Sequence, residues 1–213
     1  MIKLIYFDFN FWRIDILRLC LSFSKVPYEY ERVPRNDWLN KKETYPFGQL
    51  PVLIANDIQY GHTHALAIYC AKKSSLYDNN EYKELIINQV LDWANEITNL
   101  IAPSIRAATR EKDFDKSKRL RKEFIKKDLY VWFSFLEKLL KKSSSNNRFF
   151  TDKFSIADIT AWRIILWFCS GKLDSIDEVF LERFTILKQY YLNINNYEPF
   201  KILDEFREIT QNY

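Results

Sequence analysis

Cysteine, histidine and glycine are scarce in this chain. The three cysteines, Cys20, Cys70 and Cys169, are far apart and odd in number, and both histidines fall within GHTHAL. That pattern matches no zinc-ligand spacing and reads as reduced, buried thiols rather than a redox pair. Long apolar runs are also missing: no stretch of about 18 uncharged apolar residues occurs, so no transmembrane helix is expected. Asp8, Arg13 and Asp15 come too early for a signal-peptide core, and a cytoplasmic location is expected. An excess of one charge is lacking as well, since 32 basic residues face 28 acidic ones for a net charge of +4. The densest basic stretch, KSKRLRKEFIKK over 116–127, raises the question of nucleic acid. Leu120, Phe124, Ile125, Tyr130, Phe133 and Leu136 recur near helical spacing through and beyond it, so it reads as the solvated face of a long amphipathic helix. Neither a nucleic-acid nor a membrane partner is expected. What the chain does have is apolar material, 47% hydrophobic and 17% aromatic residues over 213 positions. That is enough for one large domain or two small ones, and far from the composition of disorder.

The two halves differ in period. KLIYFDF is a short β-type run, followed by IDILRLCLSFSK, a helix with Ile14, Leu17, Leu21 and Phe23 on its apolar face. VPYEYERV alternates as a half-buried strand. DWLNKKETY suits a short irregular helix started by Asp37. PVLIANDIQY gives two strands around the hairpin-type turn Asn56–Asp57, and HTHALAIYCAKK a helix with Thr63 at the N-cap. The order is β-α-β-α-β-β-α, in which the βαβ unit implies a parallel pair and the last two strands an antiparallel edge. After SLYDNN (75–80) the β pattern ends. YKELIINQVLDWANEITNLI, DLYVWFSFLEKLLKK, FSIADITAWRIILWF, FLERFTILKQYYL and PFKILDEFREI are helical, with a loop at 143–147. Ser155 and Asp158 have capping-box spacing. The fold class expected is α/β plus all-α: a small domain over 1–75, then an all-helical domain over 81–213.

PFGQLPVL (46–53) spends one of the three glycines and two of the six prolines on eight positions. Pro51 cannot donate to a β-ladder, so it belongs at a strand start, an edge or a bulge. It is either a strand start alone, or one whose preceding backbone is presented to a peptide.

These motifs, taken in order, resemble the cytosolic glutathione transferases across essentially the whole length, and most closely their sigma-like branch. KLIYF resembles the family's first strand with its tyrosine, and DWLNKKETYPFGQLPVL its Trp–Lys–Pro-Phe-Gly-x-x-Pro segment. HTHALAIYCAKK resembles its Gln-Ser-x-Ala-Ile segment, and FSIADI the capping box of its helical domain. The resemblance implies a thioredoxin-like glutathione-binding domain and a helical domain that contributes the hydrophobic-substrate pocket and dimer contacts. Glutathione would be the co-substrate, with no metal or redox cofactor required.

The resemblance also implies roles for individual residues. Pro51 would be cis, and Leu50 would offer its backbone to the cysteinyl unit of glutathione. Thr63, at a helix N-terminus, would receive the γ-glutamyl carboxylate. His62 stands where the family has Gln, and reads either as a ligand contact or as a surface histidine. Trp38 and Lys42, four apart, would meet the glycine carboxylate, and Gln49 the glutathione backbone. Arg13 would support the thiol, although the loop before it is one residue longer than usual. Tyr6 would be catalytic, donating its hydroxyl to the sulfur and favouring the thiolate; a core aromatic is the other reading. Glu96, in LDWANE, would reach a partner subunit's site and take the γ-glutamyl amine, or else be a solvent-facing charge. The expected protein is a homodimeric glutathione transferase acting on small hydrophobic electrophiles, with a pocket around Phe9, Phe11, Trp12, Arg106 and Trp162. Prostaglandin-type isomerisation is a side activity compatible with the resemblance. The alternative is a non-catalytic glutathione- or hydrophobic-ligand-binding protein on the same scaffold.

Overall fold

The computed structural model describes residues 1–143 and 145–212. Ser144, within the loop expected over 143–147, and Tyr213 lie outside the described residues. The chain forms two compact units, residues 1–84 with 197–212, and residues 85–196.

In the first unit, strands β1 (Ile2–Phe7), β2 (Tyr28–Val33), β3 (Val52–Ala55) and β4 (Ile58–Tyr60) make one sheet in the order β2-β1-β3-β4. β1 and β2 are parallel, with Tyr6 opposite Arg32. The other neighbours are antiparallel, with Ile5 opposite Val52 and Ala55 opposite Ile58. The parallel pair needs a crossover, and helix α1 (Trp12–Phe23) supplies it. Its residues Ile14, Leu17 and Leu21 are buried as the period predicts, while Phe23 is half-buried. Asn56 and Asp57 both take left-handed backbone (φ 51° and 61°), the geometry of the tight hairpin turn. Short helix α2 (Trp38–Lys41) lies in the irregular segment before β3, and helix α3 (Thr63–Lys73) packs on α1. This is the thioredoxin-like β-α-β-α-β-β-α order. Cys20 and Cys70 are buried thiols and Cys169 is half-buried; burial pushes the Cys20 thiol up to about 12, which keeps it protonated.

The second unit is helical: α4 (Glu81–Arg106, whose first turn belongs to the first unit), α5 (Phe114–Phe124), α6 (Tyr130–Lys141), α7 (Ile156–Phe168) and α8 (Thr185–Asn195). None of the described helices is long and apolar enough to cross a membrane. Phe133 anchors the core, meeting Trp93, Phe168 and Phe180 edge-on at centroid distances of 5.4, 5.3 and 4.9 Å. α7 is buried on every side, so its sequence shows no polar face.

The basic stretch behaves differently from the simple amphipathic reading. Ser117, Arg121, Phe124, Leu129, Phe133, Leu136 and Leu140 are buried, whereas Leu120, Ile125 and Tyr130 are half-buried. The wide step from Phe124 to Leu129 coincides with a π-helical turn over Ile125–Leu129, which resets the buried face. Arg121 is the basic residue that turns inward, its Nε donating to Ser104 Oγ at 2.9 Å and its Nη1 to the Asp174 carbonyl at 3.1 Å. Lys116 and Lys127 pair with Glu111 and Glu123, at 2.6 and 2.5 Å.

Two further helices, α9 (Glu198–Lys201) and α10 (Asp204–Gln211), complete the chain. A helical domain over 81–213 is therefore corrected at its end: residues 197–212 belong to the first unit, where buried Phe206 and Ile209 turn α10 inward and Glu208 pairs with Arg18. Helical periodicity alone could not say which unit this amphipathic segment joins.

Candidate functional site

Five segments of the first unit supply all the predicted site residues but Glu96: the end of β1, the start of α1, residues 38–42, residues 49–51 and the start of α3. Tyr6 is 4% exposed, and its ring meets Phe7 and Phe9 edge-on at 5.5 and 5.7 Å. Arg13, in the first turn of α1, lies over the Trp12 ring at 4.7 Å and extends Nη1 to Thr63 Oγ1 at 3.5 Å, the long end of a hydrogen bond. Burial holds the Arg13 guanidinium below its ordinary range, with the Tyr6 hydroxyl acting in the opposite direction. Tyr6, Arg13 and Thr63 are thus gathered at one place. It lies at the end of the strand from which α1 departs.

Thr63 is not the N-cap. His62 holds that position, with left-handed φ of 66°, and its carbonyl accepts the first helical bond from the Leu66 N–H at 3.1 Å. Thr63 is the first helical residue, 5% exposed, and its hydroxyl faces Arg13 instead of closing the helix. The shift of one residue comes from the positive φ at His62, which nothing in HTHAL announces. The leading N–H groups of α3 remain without intrahelical partners, as in any helix start.

The segment before β3 is held by aromatic contacts. Trp38 meets Phe7 edge-on at 4.8 Å and stacks with Tyr45 at 6.1 Å. Lys42 lies exposed along Gly48, where an added Cβ would stand 3.1 Å from Lys42 Cε, on backbone already at φ +56°. Phe47 packs against the His62 ring at 4.2 Å, and a Cβ at Gly61 would press on Phe47 at 3.1 Å. Gly48 therefore leaves room for the Lys42 side chain, and Gly61 for the docking of Pro46 and Phe47. The Leu50–Pro51 bond is cis, as the resemblance implies, and both residues are buried. Gln49 is exposed on extended backbone, and the ladder with β1 begins only at Val52.

Glu96 and Asp92 are both exposed, one turn apart on α4 in the second unit. Two residues proposed for the electrophile pocket are core residues: Trp12 and Trp162 are fully buried, and Trp162 Nε1 donates to Asn195 Oδ1 at 2.6 Å. Reading the sequence also missed Phe7, Phe47 and Tyr45, which seat Trp38 and His62; the signal was the aromatic density of YFDFNF and TYPFG. It missed a cavity of about 450 Å³ lined by Asp8, Phe9, Pro34, Arg35 and Asn36, beyond the ends of the parallel strands.

Comparisons with known proteins agree with the fold. Residues 98–201 match the family model described as glutathione S-transferase, C-terminal domain. Glutathione S-transferase 4 of Caenorhabditis elegans is 28% identical over 164 residues, covering 77% of this chain and 75% of that protein. The solved structure of prostaglandin synthase D of Nilaparvata lugens is 27% identical, covers 94% of this chain and 95% of that one, and superposes with a TM-score of 0.76. The fold is also that of monomeric Na-GST-3, a glutathione S-transferase of Necator americanus, with a TM-score of 0.76 over 99% of this chain and 96% of that one at 22% identity. The chain is thus similar to glutathione S-transferases, in its helical part by the family model and over most of its length by these relatives.

Proposed function

We propose that this protein is a glutathione transferase that ionises the glutathione thiol at Tyr6 and passes the sulfur to small hydrophobic electrophiles. The observation that carries the reading is the convergence of Tyr6, Arg13 and Thr63 at the end of β1. Extended glutathione lies along the Leu50 backbone ahead of β3, gaining affinity from main-chain pairing. Its γ-glutamyl carboxylate meets Thr63 and the N-terminus of α3, with His62 alongside. Its glycine carboxylate meets Trp38 and Lys42, and Gln49 borders the backbone between. The sulfur then falls beside the Tyr6 hydroxyl and the permanently charged Arg13 guanidinium, both of which favour the anion. The thiolate forms a bond to carbon, and a leaving group departs with the electron pair. No metal or redox cofactor is needed, and the site suits a cytoplasmic protein with ample glutathione. Retention on immobilised glutathione followed by conjugation of a generic aryl halide tests the reading. Retention without turnover would favour the ligand-binding alternative.

The sigma-like assignment and an isomerase activity draw support from the likeness to a prostaglandin synthase. Conversion of a prostaglandin endoperoxide without net consumption of glutathione would establish the isomerase.

Thr63→Val removes the hydroxyl and keeps the branched shape. It is expected to weaken glutathione binding by roughly 1–3 kcal/mol, with the melting temperature little changed because His62 occupies the cap. Unchanged affinity would remove Thr63 from the site.

We also propose that the protein is a homodimer in which Glu96 takes the γ-glutamyl amine in the partner's site. Glu96→Ala is then expected to weaken glutathione binding in the dimer. Sedimentation showing a fully active monomer would remove both the shared site and the role of Glu96.

A further inference from the structure

The connection between Tyr6 and Arg13, residues 7–12, is tied down by the last helix of the chain. Its own backbone adds a few bonds, among them Phe9 N–H to the Phe7 carbonyl at 2.8 Å. Asp8 N–H donates to the Val33 carbonyl at 3.1 Å, and the Phe11 carbonyl accepts from Ile14 and Asp15 at 3.0 and 3.1 Å. Phe11 is the N-cap of α1 and offers no side-chain cap. Between them, Asn10 Nδ2 donates to Glu208 Oε1 at 3.2 Å.

Glu208 is a hub. Arg18 Nη2 donates to its Oε2 at 2.5 Å, and Arg32 Nη2 to its Oε1 at 2.9 Å. Arg32 also reaches Asn10 Oδ1 at 3.3 Å and Asp8 Oδ1 at 3.5 Å, so one carboxylate organises Asn10 directly and Asp8 through Arg32. Tyr30 lies under the guanidinium groups of Arg18 and Arg32, at 4.7 and 5.2 Å. Arg18 is nearly buried, so its charge depends on the partner it keeps. A second tie, Tyr28 hydroxyl to Glu205 Oε1 at 2.7 Å, holds α10 without touching the connection.

We propose that Glu208 is a positioning residue for the thiol site: through Asn10 and Arg32 it fixes the turn that sets Tyr6 against Arg13. This rests on the proposed transferase reading. The C-terminal helix thereby sets how strongly the bound thiol is ionised. The charged and titratable groups around the hub are Asp8, Arg18, Tyr28, Tyr30, Arg32 and Glu205, and Tyr6 and Arg13 lie at the far side of the turn.

The test measures the pH dependence of thiolate formation on the protein, by ultraviolet difference absorbance, together with kcat and KM for glutathione. Wild type is measured first; if it binds no glutathione or ionises none, the transferase reading falls and this inference with it. Given an ionising wild type, Glu208→Ala is expected to lower kcat about ten-fold at pH 6.5 with a much smaller change in KM. The apparent thiol pKa should rise, so that the deficit narrows towards pH 9. Glu208→Asp should recover part of the loss. Asn10→Ala, which leaves both arginines on Glu208, should move the profile in the same direction by a smaller margin. It decides the matter if Glu208→Ala does not fold. Tyr28→Phe should lower the melting temperature and leave the profile in place. A wild-type profile in Glu208→Ala or Asn10→Ala, or a profile displaced equally by Tyr28→Phe, would overturn the proposal.

Discussion

Tyr6→Phe is expected to lower turnover at pH 6.5 by ten-fold or more while leaving glutathione affinity nearly intact. The substitution deletes one oxygen and keeps the ring, so the edge contacts to Phe7 and Phe9 survive. On the proposed reading, what is lost is a hydroxyl donor to sulfur. A thiol with an ordinary pKa of about 8.5 is mostly protonated at pH 6.5, and a hydrogen bond to the thiolate that shifts it by roughly two units is worth roughly 3 kcal/mol. The defect should therefore shrink as the pH approaches 9, where the thiol ionises unaided. Full activity in the variant would assign thiol activation to another donor near Arg13.

The largest expected loss of stability is Asp158→Ala. The Asp158 carboxylate is fully buried at the start of α7. It accepts from the Phe150 N–H at 3.0 Å, the Ser155 N–H at 2.9 Å, the Ser155 hydroxyl at 3.0 Å and the Tyr190 hydroxyl at 3.0 Å. Alanine removes a cap and strands several buried donors together, for a loss of about 4 kcal/mol or more. Against the roughly 5–15 kcal/mol that holds a domain, that should appear as a large fall in melting temperature or as failure to accumulate folded protein. A change of only a few tenths of a kcal/mol would mean that water replaces the carboxylate.

Asp158 also carries a pH signature. Burial pushes its carboxyl from the ordinary 3.8 up to about 7, with its hydrogen bonds pulling the other way. A folded pKa above the unfolded one means that the folded state prefers the protonated acid. The resulting stabilisation is complete below about pH 4 and is lost as the pH rises through about 7. Asp158→Asn cannot titrate there. The stability of wild type relative to Asp158→Asn should therefore decline between pH 4 and pH 7, and a difference flat across that range would refute the assignment.

Much of this was legible because period and turn chemistry agree locally. The strand KLIYF, the left-handed pair Asn56–Asp57 and the Ser155–Asp158 box all fell where alternation, turn preference and capping spacing put them. The cis bond before Pro51 came from the family resemblance, not from the residues. What stayed hidden depends on tertiary context. His62 takes the cap from Thr63 because the chain enters α3 through a left-handed residue. Arg121 is buried within a basic run because it shares the inward face of α5 with Ser117 and Phe124 and finds acceptors in Ser104 and the Asp174 carbonyl. Glu208 reads as an ordinary surface charge of an amphipathic helix until α10 is docked against Arg18 and Arg32.

Proton release on binding tests thiol ionisation most directly. Glutathione and S-methylglutathione are titrated into the wild-type protein at pH 7 in calorimetry buffers of different ionisation enthalpy. A thiol shifted by roughly two units is about three-quarters ionised when bound and almost wholly protonated when free, so glutathione should release about 0.7 proton and the S-methyl analogue none. Binding of both peptides without proton release, or no binding heat from either, would contradict thiol activation at Tyr6.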